Sequence, residues 1–356
     1  MSPLRALLPT RLPLIQAPMA GCQDDRLALA VSRAGALGSL PAALLDPASL
    51  DSALERLDAT GLPYNVNFFA HRPVTPNEQV LSRWVEQLAP LYAACGLGAP
   101  PRPEPGRRAF DDATAEVLGR FRPAVVSFHF GLPSPALLDR VRATGALILS
   151  TATTLQEALH LESRGVDGII AQGLEAGGHR GHFLDSDVAS QQRLEDLVPA
   201  FVERLTVPVV AAGGLGTSAL VDRMLDLGAA AVQVGTAFLL THEATTRPWH
   251  RQRLKDAAEP TLLTNVFTGG LARGLANTLV RELGACSPSV PPFPWASSSL
   301  SPLRQWAEAK GLDDFSPLWC GTHRSHLREA SAASIVSELM ASFTQPYRPG
   351  DAGHAP

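Results

Sequence analysis

Short runs of apolar, often β-branched residues alternate along the chain with stretches whose apolar positions recur at helical spacing. Read in order, the pattern predicts strands over 14–17, 36–40, 64–68, 124–128, 146–150, 167–172, 208–212 and 230–235. Between them it predicts helices over 26–33, 47–57, 78–94, 113–120, 135–143, 155–163, 191–205 and 218–227. Asp46 stands where an N-cap is wanted, and the Pro-, Gly- and Arg-rich stretch 96–108 reads as a loop. The predicted strands are apolar on successive residues rather than on alternate ones, the mark of a parallel sheet covered on both faces. Eight strand–helix units at roughly 25–30 residue spacing fit a closed (β/α)8 ring, the TIM barrel of the α/β class. An open doubly wound sheet competes, but it usually carries G-x-G-x-x-G after its first strand. Here the first strand runs into A-P-M-A-G, and the barrel is the expected fold.

Beyond Phe238 the pattern changes. Residues 241–283 look helical with a break at 268–270, 286–300 is a Pro/Ser stretch, and 303–310 and 325–342 look helical. The expected organisation is a barrel over 1–240 and a mostly helical substrate or cap region over 241–344, partly packing on the barrel. A frayed, disordered tail is expected over 345–356.

Composition narrows the function classes. With 45% hydrophobic and 18% charged residues, the 356-residue chain can bury a substantial core. A net charge of -4 gives no reason to expect nucleic acid or an anionic membrane as partner. No run approaches the ~18 apolar residues of a membrane span. Pro9 and Pro13 interrupt the apolar run near Arg5 and Arg11, so no signal peptide is read. Cys22, Cys95, Cys286 and Cys320 lie far apart without a C-x-x-C pair, which argues against a disulfide framework or a structural zinc and suits a cytoplasmic protein. Oligomeric state is not legible.

In a (β/α)8 barrel the functional groups collect at the C-terminal ends of the strands. Those ends hold Pro18 and Met19, Asn67, His129, Gln172, Gly177, Gly178, His179, Gly213, Gly214, Gly235 and Thr236. The set mixes amides with exposed backbone and has almost no carboxylates, so two-metal hydrolysis and glycosidase chemistry are disfavoured and no metal is expected. It suits a flat heteroaromatic with a phosphate tail: amides donate and accept toward ring edges, and glycine turns bring backbone N–H groups to an anion. The stretch 165–182, G-V-D-G-I-I-A-Q-G-L-E-A-G-G-H-R-G-H, concentrates these features around one imidazole, His179, placed for acid–base or hydrogen-bonding work. Plainer readings stand beside these. Gly213 and Gly214 fit a bare strand-to-helix turn, Asn67 a turn, Gln172 a core amide, and His179 a surface loop. His129, between Phe128 and Phe130, fits a core or supporting position; His182 and the remaining histidines read as surface residues.

Taken together, Q-A-P-M-A-G (16–21), N-V-N-F (65–68), S-F-H-F-G-L-P (127–133), A-Q-G-L-E-A-G-G-H-R-G-H-F (171–183), A-A-G-G-L (211–215), V-Q-V-G-T-A-F (232–238) and F-T-G-G-L-A-R-G (267–274) resemble the nitronate monooxygenase family, formerly 2-nitropropane dioxygenases. The resemblance spans roughly residues 12–275 and implies an FMN-dependent barrel enzyme that oxidises alkyl nitronates with O2 to a carbonyl compound and nitrite. It implies that Asn67 and Gln172 contact the flavin ring or ribityl chain, and that Pro18, Met19, Gly177, Gly178, Gly213 and Gly214 lie against the cofactor. Gln233, Val234, Gly235 and Thr236 would bind its phosphate end, His179 would be the active-site histidine, and His129 and Phe267 would stand toward substrate. A related FMN-dependent enoyl-thioester reductase using NAD(P)H is the alternative, and a flavin-binding or redox-sensing protein without turnover is a third. Two segments depart from the family pattern: F-T-G-G-L-A-R-G stands for F-S-G-R-P-A-R-G, and P-L-W-C-G-T-H (317–323) for a segment with W-A-G-Q. With only Tyr64, Tyr92 and Tyr347 in the chain, aromatic pocket walls would have to come from Trp249, Phe267, Phe293, Trp295 or Trp319, and a different or broader substrate is expected.

Overall fold

A computed structural model describes residues 8–185 and 187–343. Eight strands, β1 (Leu14–Gln16), β2 (Gly38–Pro41), β3 (Tyr64–Phe69), β4 (Val125–His129), β5 (Leu147–Ala152), β6 (Gly168–Gln172), β7 (Val209–Ala212) and β8 (Ala231–Val234), form one all-parallel sheet. Its order is β1-β8-β7-β6-β5-β4-β3-β2. Leu37, just before β2, bonds back to β1 through its N–H to Leu14 O (2.8 Å) and its carbonyl to Gln16 N–H (2.9 Å). These bonds close the ring, so the architecture is a (β/α)8 barrel.

Successive strand residues serve two cores. Ile15, Val125, Leu149, Ile170 and Val210 form one cluster, while their neighbours Leu14, Val126, Ile148, Ile169 and Val209 join the larger layer packed with the helices. This two-sided burial is why the strands lack alternation. A polar layer is also buried within the sheet: Asn65 Nδ2 donates to Ser39 and Ser127 Oγ (2.9 Å each), and Gln23 Nε2 to Ser39 O (2.7 Å).

Around the ring run α1 (Asp25–Arg33) and α2 (Pro47–Asp58), then, past α3 (Glu78–Ala94), α4 (Asp112–Phe121), α5 (Pro135–Arg142), α6 (Leu155–Ser163), α7 (Leu194–Arg204) and α8 (Ser218–Asp226). Asp46 caps α2 as expected, accepting from Ser49 N–H (2.7 Å). The long helix α3 leaves the ring. Its Trp84, Leu88 and Tyr92 pack with Val266, Phe267, Leu279, Leu300 and Leu303 in a core separate from that of the barrel.

After β8 come α9 (Pro248–Leu254), β9 (Thr261–Thr264), β10 (Ala272–Leu275), α10 (Thr278–Leu283), α11 (Ala296–Glu308), β11 (Leu318–Trp319) and α12 (Ala332–Leu339). Helices dominate this region, but 241–283 is not the interrupted helix that the spacing suggested: β9, β10 and β11 form an antiparallel sheet. Apolar residues at 262, 263, 266 and 267 mimic helical spacing. Thr261 and Thr264 favour extended backbone, however, and Gly269, at φ +85°, turns the chain between the strands. Helix α11 begins inside the Pro/Ser stretch, and α12 starts only at Ala332, behind its cap Ser331. The expected tail, 345–356, lies outside the described residues. No described helix is long and apolar enough to cross a membrane.

Candidate active site

The C-terminal ends of the barrel strands open into a cavity of about 1320 Å³, mouth included. It is lined by Pro18 and Met19 after β1, Asn67 and Phe69 of β3, His129 of β4, Thr151 of β5, Gln172 of β6, Gly177–His179, Gly213 and Gly214 after β7, and Gln233–Thr236 at the end of β8. Trp319, Cys320, Gly321 and Arg107 complete the wall from outside the ring. The structure thus brings together every site residue singled out from the sequence except Phe267. That ring is buried behind the cavity, edge-on to Trp319 with centroids 5.3 Å apart.

The loop after β6 is built to hold His179. Gln172 Nε2 donates to the His179 carbonyl (2.9 Å) and its Oε1 accepts from Gly181 N–H (2.8 Å). His129 Nε2 lies 3.2 Å from the same carbonyl, which can only accept. His129 therefore carries its proton on Nε2, and Nδ1 accepts from the Thr151 hydroxyl (3.1 Å). Arg180, fully buried, donates to Gln191 Oε1 (2.7 Å), Gly173 O (2.7 Å) and Gln172 O (2.8 Å). The segment Gly178–His179 also pairs as a two-residue strand with β10, Ala272 opposite His179. The His179 backbone is thus fixed from three sides.

His179 Nε2 lies 2.9 Å from Thr268 Oγ1, leaving Nδ1 as the nitrogen free to meet a ligand. Around the ring stand Phe69, Phe130, Phe293 and Trp319, at centroid distances of 6.1, 6.0, 5.5 and 5.6 Å. Phe130 reaches this box from a left-handed backbone (φ +69°), a strained conformation for a non-glycine residue. Burial first, then the charge of Arg107 and the neighbouring His129 and His182, hold the His179 pKa well below the ordinary histidine value. Burial likewise pushes His129 down to about 4. Both rings are neutral at pH 7.

Another part of the cavity wall suits an anion. Gly213 (φ +125°) and Gly214 (φ +69°) turn the chain from β7 toward α8, capped by Thr217. The backbone N–H groups of Gly214, Leu215, Gly216 and Gly235 donate to no group among the described residues. Gln233 Oε1, in the same wall, is buried without a partner. A buried polar atom with no protein partner costs about 1–3 kcal/mol unless a ligand or water meets it.

The nitronate monooxygenase family model matches residues 1–342. The chain belongs to the nitronate monooxygenase family. It is 38% identical over 352 residues to a nitronate monooxygenase of Paraburkholderia phytofirmans, covering 96% of this chain and 95% of the relative. It is also 38% identical over 343 residues to that of Pseudomonas aeruginosa, covering 94% and 97%. Among solved structures, nitroalkane oxidase from Streptomyces ansochromogenes superposes with TM-score 0.85 at 38% identity, covering 95% of this chain and 96% of that one. FabK from Thermotoga maritima, at 22% identity and TM-score 0.69, shares the fold. As a nitronate monooxygenase family member the chain is an oxidoreductase, and the family's cofactor is a flavin.

The cavity fits that group. The orphan Gln233 oxygen and the unpaired N–H groups suit a polar edge and a phosphate, and Gly177 lets the loop after β6 pack against the Cys320–Gly321 backbone that completes the wall. A Cβ on Gly177 would stand 2.4 Å from the Cys320 carbonyl carbon and 2.5 Å from Gly321 N. Both are backbone atoms that cannot swing aside, and overpacking of this kind costs about 1–3 kcal/mol. Gly177→Ala is therefore expected to weaken flavin retention roughly tenfold or more, read as lost 450 nm absorbance after gel filtration. Gly98→Ala, where a Cβ meets nothing within 4 Å, is expected to keep its flavin. Equal flavin content in both variants rules out the close approach as a requirement of the site.

Several residues around His179 have no sequence signal of their own. Phe69 and Phe130 look like ordinary continuations of β3 and β4, and Thr268 reaches His179 from 89 residues away. Of the aromatics nominated from the sequence, Phe293 and Trp319 reach His179; Trp295 instead donates its Nε1–H to Val74 O (2.8 Å). Three histidines read as surface residues are not: His250 is 3% exposed, and His71 and His182 are half-buried with Nδ1 unpartnered. Gln172, nominated for the cofactor, lines the cavity with its amide already engaged by the loop that carries His179.

Proposed function

We propose that this cavity binds FMN and an anionic alkyl nitronate and oxidises the nitronate with O2 to a carbonyl compound and nitrite. The observation that carries the reading is a neutral imidazole, His179, fixed through Nε2 and open at Nδ1, sharing one cavity with an anion-ready glycine turn in a nitronate monooxygenase chain. FMN, when bound, supplies the electron-accepting ring and the route to O2. Its phosphate would meet the turn at Gly213–Leu215 and Gly235, and the Gln233 amide and Asn67 line the same cavity. Asn67 uses its Nδ2 on Ser127 (2.9 Å to Oγ), which leaves its carbonyl oxygen for the ligand.

The chain's own work is positioning and proton control. The hydroxyl of Thr268 both donates and accepts, so it supports either neutral tautomer of His179. With the proton on Nδ1, the ring donates to a nitronate oxygen; with the lone pair there, it takes the α-proton of a nitroalkane. The four aromatic rings keep water from the reacting atoms, which strengthens each of these contacts. The four unpaired thiols fit a cytoplasmic setting.

Oxygen uptake and nitrite release by the purified yellow protein test the reading. Turnover with ethyl nitronate, and none with NAD(P)H alone, is the expected result. Anaerobic bleaching by NADPH with no response to nitronates overturns it in favour of an enoyl-thioester reductase. A flavin-loaded protein inert to both is a binding protein.

A further inference from the structure

Loop 96–108 comes back over the mouth of the barrel and is tied there by the N-terminal turn of α11. Gly106 N–H donates to Pro294 O (3.0 Å), Glu104 N–H to Ser298 Oγ (2.8 Å), and Ser299 Oγ to Pro101 O (2.8 Å). Tied in this way, the loop sets Arg107 into the cavity wall. Its Cζ lies 6.0 Å from the Phe293 ring centroid, and that ring is 5.5 Å from His179. Arg107 and His179 thus both stand against the Phe293 ring.

Among the described residues the guanidinium has no counter-ion. Arg107 Nε and Nη1 are buried without a partner, and no Asp or Glu is among the residues lining the cavity. Arg304 adds positive field, lying close enough to disfavour the charge, while His71, held against the Arg107 backbone, is pushed down to about 4 by burial and is neutral at pH 7. Burial and Arg304 push the Arg107 pKa down, but only to about 10, so the group stays cationic at neutral pH. A buried, unpaired arginine is costly unless something pairs with it. Its planar fork of N–H groups matches a planar pair of oxygens, and a nitronate head and a carboxylate both present one.

We propose that Arg107 reads the charge of the substrate, its fork binding the planar oxygen pair of a monoanion held against Phe293 and His179. The inference deepens the functional reading above and rests on it for the identity of the monoanion. None of the segments that carry the family resemblance contains this residue, which sits in a stretch that reads from sequence as a loop.

The test uses the flavin-loaded full chain as wild type, Arg107→Met and Arg107→Lys. Propionate and its neutral counterpart propionamide are titrated against the visible flavin spectrum and against tryptophan fluorescence, to which Trp319 in the wall contributes. Propionate is expected to bind the wild type and to bind Arg107→Met roughly 10- to 100-fold more weakly, the range of a hydrogen bond to a charged group. Lys is expected to recover part of the difference, since it restores charge without the fork, and propionamide is expected not to distinguish the three. In steady state with ethyl nitronate, which carries no carboxylate, a raised KM at near-constant kcat in Arg107→Met assigns the fork to the nitronate head. An unchanged KM alongside weakened propionate assigns it to a substrate carboxylate. Equal propionate binding in all three proteins, no binding to the wild type, or equal losses for propionamide overturns the proposal. Because the titration requires no turnover, it decides the role of Arg107 even if ethyl nitronate proves not to be a substrate.

Discussion

His179→Asn lowers kcat/KM for nitronates by roughly 10²–10³-fold while the protein keeps its flavin and its melting temperature. The magnitude is that of removing one positioned proton donor or base from an enclosed site. The substitution is clean because the His179 backbone is held independently of the ring, by Gln172, His129 and the pairing with β10. Asn can still approach Thr268, but it cannot take or give a proton at the Nδ1 position. The measurement is steady-state oxygen uptake beside flavin content and thermal denaturation. A variant that matches wild-type turnover at every pH removes His179 from the chemistry. One that loses its flavin shows that the ring supports the cofactor instead.

The same residue sets an expectation for pH. Burial and Arg107 hold the folded-state His179 pKa well below 6.5, so the free enzyme carries the neutral ring throughout the neutral range. The kcat/KM profile, which reports free-enzyme groups, therefore shows no inflection near pH 6.5 that vanishes in His179→Asn.

Much of this site was legible in the sequence because it lies at strand ends, and strand ends follow from the apolar pattern. Once 167–172 and 208–212 are strands of a barrel, Gln172, His179, Gly213 and Gly214 must face one mouth. What the pattern hid is whatever returns to the mouth from far along the chain. Thr268 looked like a break in a helix and is the last residue needed to orient the imidazole. Arg107 sat among prolines that signal a loop, and only the hydrogen bonds to Pro294 and Ser298 show where that loop goes. The two-residue strand at Gly178–His179 was hidden for the same reason, since its partner β10 lay inside a stretch of misleading helical spacing. The identity of Gln172 was clear, but its use was not. From sequence it is an amide at a strand end; in three dimensions it shares the His179 carbonyl with His129.

Two histidines enclosed by the fold, one of them read from the sequence as a surface residue, give the second large effect, a loss of stability as pH falls from 6.5 toward 4. His129 and His250 are both pushed down to about 4 by burial, and His250 Nε2 has no partner. In the unfolded chain each titrates near 6.5. Between these values the unfolded state binds protons that the native state refuses, so unfolding becomes easier with every step down in pH. Stability is full above 6.5 and is lost as pH falls through that value, at a cost of about 2 kcal/mol for each of the two histidines by pH 5. The carboxylates act in a different window: Asp25, held low by the hydrogen bond from Arg56, gives up stability only below its ordinary value of 3.8. Urea unfolding of the flavin-loaded protein at pH 7.5, 6 and 5 is expected to show the midpoint falling across the upper window. His250→Leu lies in α9, outside the cavity wall, and removes one proton-binding site from the unfolded state. The variant is expected to lose about 2 kcal/mol less than the wild type between pH 7.5 and 5, whatever its stability at pH 7.5. If both proteins lose stability in parallel, His250 is not among the groups that refuse a proton in the fold, and the decline belongs to His129 and its neighbours at the site.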